Sequence, residues 1–387
     1  MRKLISGILG AVANRLRARV SSHVTVYDFV QGRLGNCGMV AAMAGLAKDR
    51  ELRGRVVPWA SCGIGRPSKV TFKLFKLGEA REVEVVKTLP KIKNKLAYCR
   101  SSNGSLLGPL LEKALVQLLF DGNYKWSESV SSCLVMASLT NNFFEDFRAS
   151  SSDLRFEKLL SHGLKTKCHM VAWFLEPPQR DLIGYHVYSL VGEKKSEVTL
   201  YDPHGKIVKV KKDLFIGINS ILEVSYPENK IFRIPDVKTR VDLTGNWLPL
   251  KVNEKMHFTE YDLLVEDDDT EILVNVIYRH HFKISARIFI IANDGGTAVV
   301  KSSVFKRPKN YLHHSKSLRE NLRGGKYKVV VAVSKRTERA SCADCREYLE
   351  RFGGKYLLRV AASKHCLIDE SAKKETGNIL FDFLDFV

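Results

Sequence analysis

No uninterrupted apolar run in this sequence reaches the ~18–20 residues that a membrane-crossing helix needs, so none is expected. Disulfide-framework spacing is also missing. The 8 cysteines are scattered over 387 residues, which suits free thiols in a reducing, intracellular compartment, with the cytoplasm as the expected location. No segment has the ligand spacing of an EF-hand calcium loop, and no zinc finger or other nucleic-acid module is recognisable. Cys342-Ala-Asp-Cys345 with His365-Cys366 further on comes nearest to a zinc site. A lone CxxC is a weak pattern, and these residues are read as free cysteines in a loop. Acidic residues are in short supply: 42 against 62 Lys and Arg, a net charge of +20. That balance favours acidic partners, meaning anionic membrane or acidic protein surfaces. The basic residues are spread along the chain without a binding module, so nucleic acid is not the expected partner.

The first acidic residue is Asp28, and the stretch before it is basic. Residues 1–24 are read as a basic amphipathic segment packed on the body. The same features leave a mitochondrial presequence or a short secretory leader as alternatives.

The most informative stretch is Gln31-Gly-Arg-Leu-Gly-Asn-Cys37, which runs into Gly-Met-Val-Ala-Ala-Met-Ala-Gly-Leu46. Asn36 is a good N-cap, and Met39, Val40, Met43 and Leu46 fall at helical spacing. The Cys37 thiol therefore sits in the first turn of a helix, where partial positive charge favours a thiolate. The Cys37 N–H and the Gln31 amide together are suited to hold an oxyanion. Read alone, Cys37 is more simply a buried, inert thiol on a core helix.

Further along, Lys69–Phe75 and Arg81–Val86 alternate as a hairpin around Gly78, and Leu110–Leu119 is strongly helical. Val130–Met136 reads as a helix, and Phe143-Phe-Glu-Asp-Phe147 as the loop after it. Leu154–His162 is read as a short helix. Strands follow at His169–Leu175, Tyr185–Val191 and Glu197–Asp202, so His186 and Asp202 fall on adjacent strands. A thiol nucleophile needs a base to take its proton and an acceptor to orient that base. Beyond residue 240, Glu271–Ile277, Ser285–Ile291, Tyr327–Val333 and Tyr356–Val360 are strand-like without intervening helices, which predicts an antiparallel sandwich.

Several of these segments carry a family resemblance. Gln-Gly-Arg-Leu-Gly-Asn-Cys-Gly-Met-Val-Ala-Ala is similar to the QGxLGDCWLLAA active-site segment of calpain cysteine proteases. Glu51–Pro58 resembles their LxxRVVP stretch, and Leu107–Ala114 their WxxLLEKA helix. Gly184–Val191 resembles the GHAYSV strand, and Tyr201-Asp-Pro-His-Gly205 the RNPWG segment. Leu322–Val331 and Tyr356–Val360 resemble strands of the calpain C2-like β-sandwich. The resemblance implies an α+β fold: a papain-like two-lobe protease core followed by an antiparallel β-sandwich. The expected divisions are 1–24, a helical lobe at 25–150 with Ser150–Ser152 as its boundary, a β-rich lobe at 151–240, the sandwich at 241–370, and a tail at 371–387. It also implies a cysteine endopeptidase with protein substrates, in which Cys37, His186 and Asp202 form the triad and Gln31 completes the oxyanion hole. The alternative is a non-catalytic scaffold or regulator of the same family.

Three departures qualify the resemblance. Asp202 stands where calpains have Asn, Gly38 replaces the Trp after the nucleophile, and His204 replaces the Trp of RNPWG. Loss of both tryptophans predicts a triad more open to water, or room for a bulkier substrate. Lys125 falls where the resemblance implies a calcium-ligating carboxylate. No cofactor is therefore expected to be required, and calcium enters only as a regulator with weak or no effect. The acidic run Glu266–Glu271 is read as a solvated turn.

Overall fold

The computed structural model is described over residues 24–57, 68–93, 95–148, 154–174, 179–194, 196–217, 220–227, 230–232, 234, 236–247, 256–278, 284–292, 299–302, 315–335 and 354–369. The basic segment before residue 24, the Ser150–Ser152 boundary, the Cys342–Cys345 pair and the 371–387 tail lie outside them. The chain divides into two compact units. One comprises residues 1–142 and 147–225, and the other residues 143–146 and 226–387. The fold is α+β, and the first unit takes most of both expected lobes, while residues 143–146 and 226–240 of those lobes fall in the second.

The first unit opens with α1 (Cys37–Ala44) and α2 (Arg50–Val56). The hairpin β1 (Lys69–Lys76) and β2 (Glu79–Val86) follows in register from Lys69↔Val86 to Lys76↔Glu79. Its turn is set by left-handed backbone at Leu77 and Gly78, the pattern of a tight two-residue hairpin loop. A two-residue pair, β3 (Lys91–Ile92) and β4 (Lys95–Leu96), precedes the long α3 (Leu107–Phe120), then α4 (Ser132–Thr140). After β5 (Phe143–Arg148) come α5 (Leu154–Lys165), β6 (His169–Phe174), β7 (His186–Lys194), β8 (Glu197–Asp202), β9 (Lys206–Lys211), α6 (Lys212–Gly217) and β10 (Ser220–Tyr226). Within this unit the antiparallel strands run β10-β6-β7-β8-β9.

Helix α1 is the packing centre of the first unit. It contacts α3 and α4 and also β6, β7 and β8. Every residue from Gly38 to Ala44 is buried. The sequence pattern predicted one apolar face, whereas the helix is covered all round. Its small residues allow this, since Gly and Ala let neighbouring backbones approach closely. The consequence for function is positional: the first turn of α1, carrying Cys37, is pressed beside the start of β7, carrying His186.

The second unit is a β-sandwich. Its strands are β11 (Thr239–Trp247), β12 (Met256–Val265), β13 (Thr270–Tyr278), β14 (Ile284–Ala292), β15 (Val299–Ser302), β16 (Ser315–Leu322), β17 (Gly325–Lys335), β18 (Gly354–Ala362) and β19 (Cys366–Asp369). They form two antiparallel sheets, β11-β18-β13-β16 and β15-β14-β17-β12-β19. One apolar core joins the sheets, with Ile272, Val274 and Leu358 from one and Tyr261, Ile288 and Val329 from the other.

Residues 143–147, expected as loop, are instead part of a strand, and Phe143–Asp146 clusters with the second unit. The reason lies in partners far along the chain. Asn275 grips the Phe144 backbone in both directions: its Oδ1 accepts from the Phe144 N–H (2.8 Å) and its Nδ2 donates to the Phe144 carbonyl (2.7 Å). Arg319 donates Nε and Nη2 to the two carboxylate oxygens of Glu145 at 2.8 and 2.7 Å, and its Nη1 reaches Glu271 at 3.3 Å. Local sequence carries no sign of these pairings.

Candidate active site

The site is assembled from the start of α1, the start of β7 and the turn after β8. Left-handed backbone at Tyr185, whose N–H bonds the Phe174 carbonyl at 2.8 Å, turns the chain into β7 and aims His186 inward. Asp202 ends β8. Its Oδ1 accepts from the His204 N–H at 2.8 Å, closing a small turn that brings the chain back into β9. The same oxygen meets His186 Nε2 at 3.0 Å. With Nε2 so engaged, Nδ1 is the ring nitrogen left to act on Cys37. The structure thus brings Cys37, His186 and Asp202 together, with a hydrogen bond between the last two and Cys37 near enough to act on the imidazole.

The electrostatics follow from this arrangement. Burial alone would push the His186 imidazole down, but hydrogen bonds to Asp202 and Cys37 outweigh it and hold the group up at about 9. Burial likewise works against the charged Asp202 carboxylate, yet its bonds to His186 and His204 keep it below its ordinary value. The charged imidazolium is therefore favoured at neutral pH, and it is the form left once the thiol proton has passed to the ring.

The expectation of a more open triad is not met. The His186 and Asp202 side chains are only 7% and 4% exposed. At Gly38 an added Cβ would lie 2.5 Å from the Val130 carbonyl oxygen, so backbone occupies the space a tryptophan would need. That backbone is held in place by the Ser129 N–H, which bonds the Gly35 carbonyl at 2.7 Å. His204 stacks on His186, with ring centroids 4.8 Å apart and an interplanar angle of 18°, and its Nδ1 lies 3.0 Å from Asp202 Oδ1. Sequence reading treated His204 only as a missing tryptophan. Its position two residues after Asp202 was the signal that it returns to the same carboxylate.

Gln31 sits on the loop leading into α1. Its N–H bonds the Pro203 carbonyl at 2.7 Å, and the Tyr201 hydroxyl donates to the Phe29 carbonyl at 2.9 Å, so the loop is tied to the Asp202 turn. One Gln31 amide hydrogen goes to the Leu34 carbonyl at 2.6 Å, which leaves the second for another acceptor. Asn36 stands at the N-cap position, but its side chain does not cap the helix, contrary to expectation. Its Nδ2 donates instead to Glu112 Oε1 at 2.8 Å, and Glu112 Oε2 accepts from the Cys99 N–H at 2.9 Å. Burial raises Glu112 to about 7 against these two bonds. The Asn36 carbonyl takes the Met39 and Val40 N–H groups, so the N–H of Cys37 is not consumed by the first turn.

Residues 13–212, just over half of the chain, match the family model described as "Calpain family cysteine protease". The chain belongs to the calpain family of cysteine proteases. Among curated members, human calpain-12 is 27% identical over 223 residues, covering 57% of this chain and 28% of that protein. Mouse calpain-9 is 25% identical over 251 residues, covering 61% and 36%. The bovine calpain-1 catalytic subunit is 30% identical over 178 residues, covering 43% and 25%. This calpain-family chain thus matches between a quarter and about a third of the length of these relatives.

Proposed function

We propose that the chain is a cysteine endopeptidase that cuts protein substrates at a limited set of sites, inside the cell, through Cys37, His186 and Asp202. The observation that carries this reading is His186 held between the Cys37 thiol and the Asp202 carboxylate. In this reading His186 takes the thiol proton and later gives it to the leaving amine. Asp202 orients the ring and stabilises its charged form. In the same reading the Cys37 N–H and the second Gln31 amide hydrogen are the donors to the developing oxyanion.

Calcium is proposed to be dispensable for assembling this site. Two features support that: Cys37 is already near enough to His186 to act on its imidazole, and Lys125 places an exposed cation where the family resemblance implies a calcium-ligating carboxylate. The basic charge is proposed to favour acidic protein or membrane surfaces as docking partners.

The test is cleavage of an unfolded protein substrate across a calcium titration, with the new termini sequenced. Flat cleavage across the titration, lost in Cys37→Ala, is the expected result. A steep rise from zero that chelator reverses would overturn the calcium part. No cleavage at any calcium level would leave a non-catalytic family member acting as scaffold.

A further inference from the structure

We propose that His186, Asp202 and His204 form a binding site for Zn2+, or a divalent cation of similar preference, and that its occupation switches the peptidase off. His186 Nε2, Asp202 Oδ1 and His204 Nδ1 all lie within 4.8 Å of one another, with both nitrogens 3.0 Å from the carboxylate oxygen. Two imidazoles and a carboxylate make a donor set that zinc takes readily, at bond lengths of roughly 2.0–2.2 Å. Donors about 3 Å apart are near the spacing that a tetrahedral ion with such bonds imposes, so a modest inward movement of the two rings completes three ligands. The rings are already stacked side by side. His204 is 47% exposed, while the other two side chains are buried, so the ion has an entry path from solvent and a position left for water.

No other cluster of three such side chains is found among the described residues. The site depends on His204, the residue standing where the related motif has tryptophan.

Inhibition follows from tautomer chemistry. Ligation requires the lone pairs of the nitrogens that now face Asp202, so the protons there leave to solvent or shift to the far nitrogen of each ring. A neutral His186 with Nε2 on the metal carries its proton on Nδ1, the nitrogen facing Cys37. It then has no lone pair with which to accept the thiol proton, and it loses its bond to Asp202. This regulatory consequence rests on the proposed peptidase reading; the binding itself does not.

The test uses the full chain as Cys37→Ala, with Cys342→Ser and Cys345→Ser, so that no thiol at those positions supplies a ligand. Zn2+ is titrated by calorimetry, and X-ray absorption reports the ligands. One ion per chain bound by nitrogen and oxygen only, with two imidazoles, is expected. His204→Phe, which keeps a stacking ring, should weaken binding by more than the roughly 10–100-fold lost when an outer partner of a ligand is removed. Sulfur among the ligands, no binding, or an affinity indifferent to His204→Phe would each overturn the proposal. The absorption result on the parent decides the matter even if His204→Phe fails to fold. Zn2+ should also slow epoxide labelling of Cys37 in the otherwise unaltered chain. A chain that never labels would count against the peptidase reading, while the binding data would still decide this one.

Discussion

Asp202 Oδ1 is the most heavily used atom in the molecule's site, receiving His186 Nε2, the His204 N–H and His204 Nδ1. Against burial, its hydrogen bond to the ring, together with the influence of Cys37, holds His186 up at about 9. Because that value lies above the ordinary one for histidine, the stabilisation is present below the ordinary value and is lost as pH rises through about 9. Asp202 has the opposite sign: its value is lowered, so its contribution is present above the usual carboxylate range and is lost as pH falls through the lowered value. Two outcomes are expected from kcat/KM profiles. The unaltered chain should lose activity on the alkaline side near pH 9. Asp202→Asn should keep much of the activity, since an amide oxygen still accepts from the ring, but its alkaline limb should move toward neutral pH. Asp202→Ala should lose about 100-fold or more, the scale of a mispositioned proton carrier. Equal profiles for Asn and Ala would show that position 202 does not orient His186.

The meeting of Cys37, His186 and Asp202 was expected from the sequence, because three separate segments each carry a family motif around one of them. The Asn36–Glu112 bond was not, since it joins residues 76 positions apart. Local pattern offered Asn36 the ordinary task of a cap, and a buried carboxylate from another helix drew its side chain away.

At the scale of the element, α1 shows how a glycine read as a loss becomes a requirement. The Val130 carbonyl lies 2.5 Å from where a Gly38 Cβ would stand. Backbone gives way less easily than a flexible side chain, so Gly38→Ala should cost about 1–3 kcal/mol, the range for overpacking a filled core. Gly38→Trp should be worse, despite restoring the residue that the related motif carries. Thermal unfolding measures both. Unchanged melting of Gly38→Trp would show that the Ser129–Val130 backbone moves aside without penalty. The hairpin at Lys69–Val86 and the helix at Leu107–Phe120 were legible because their periodicity is strong and their partners are near in sequence or supplied by the apolar core. The covered-all-round burial of α1 was not legible, because small residues say only that neighbours fit closely and not how many there are.

Across the whole molecule, the sandwich strands that the sequence marked were those with dense β-branched runs, such as Thr270–Tyr278 and Gly325–Lys335. The mixed-polarity strands Thr239–Trp247 and Ser315–Leu322 carry no such signal. Nor does the integration of Phe143–Asp146 into the second unit, which rests on the bidentate Glu145–Arg319 pair. The two side chains are 5% and 11% exposed. Burial works against the Arg319 charge, but Glu145 more than offsets it and raises the guanidinium further. Removing one partner leaves the other charge uncompensated, so Glu145→Gln or Arg319→Met should each cost about 3–5 kcal/mol. The double variant should lose far less than the sum, which a double-mutant cycle by denaturant unfolding measures. Additive losses would show that the pair does not act as one interaction.

The central claim is that Cys37 is the reactive thiol of an already assembled site, and active-site labelling tests it most directly. A thiol-reactive peptide epoxide is incubated with the chain in chelator and in calcium, and the modified residue is located by mass spectrometry. The account predicts one modified residue, Cys37, labelled at similar rates in both conditions, and no label in Cys37→Ala. Equal labelling of Cys37→Ala at another cysteine, or no labelling of the unaltered chain under either condition, would contradict it.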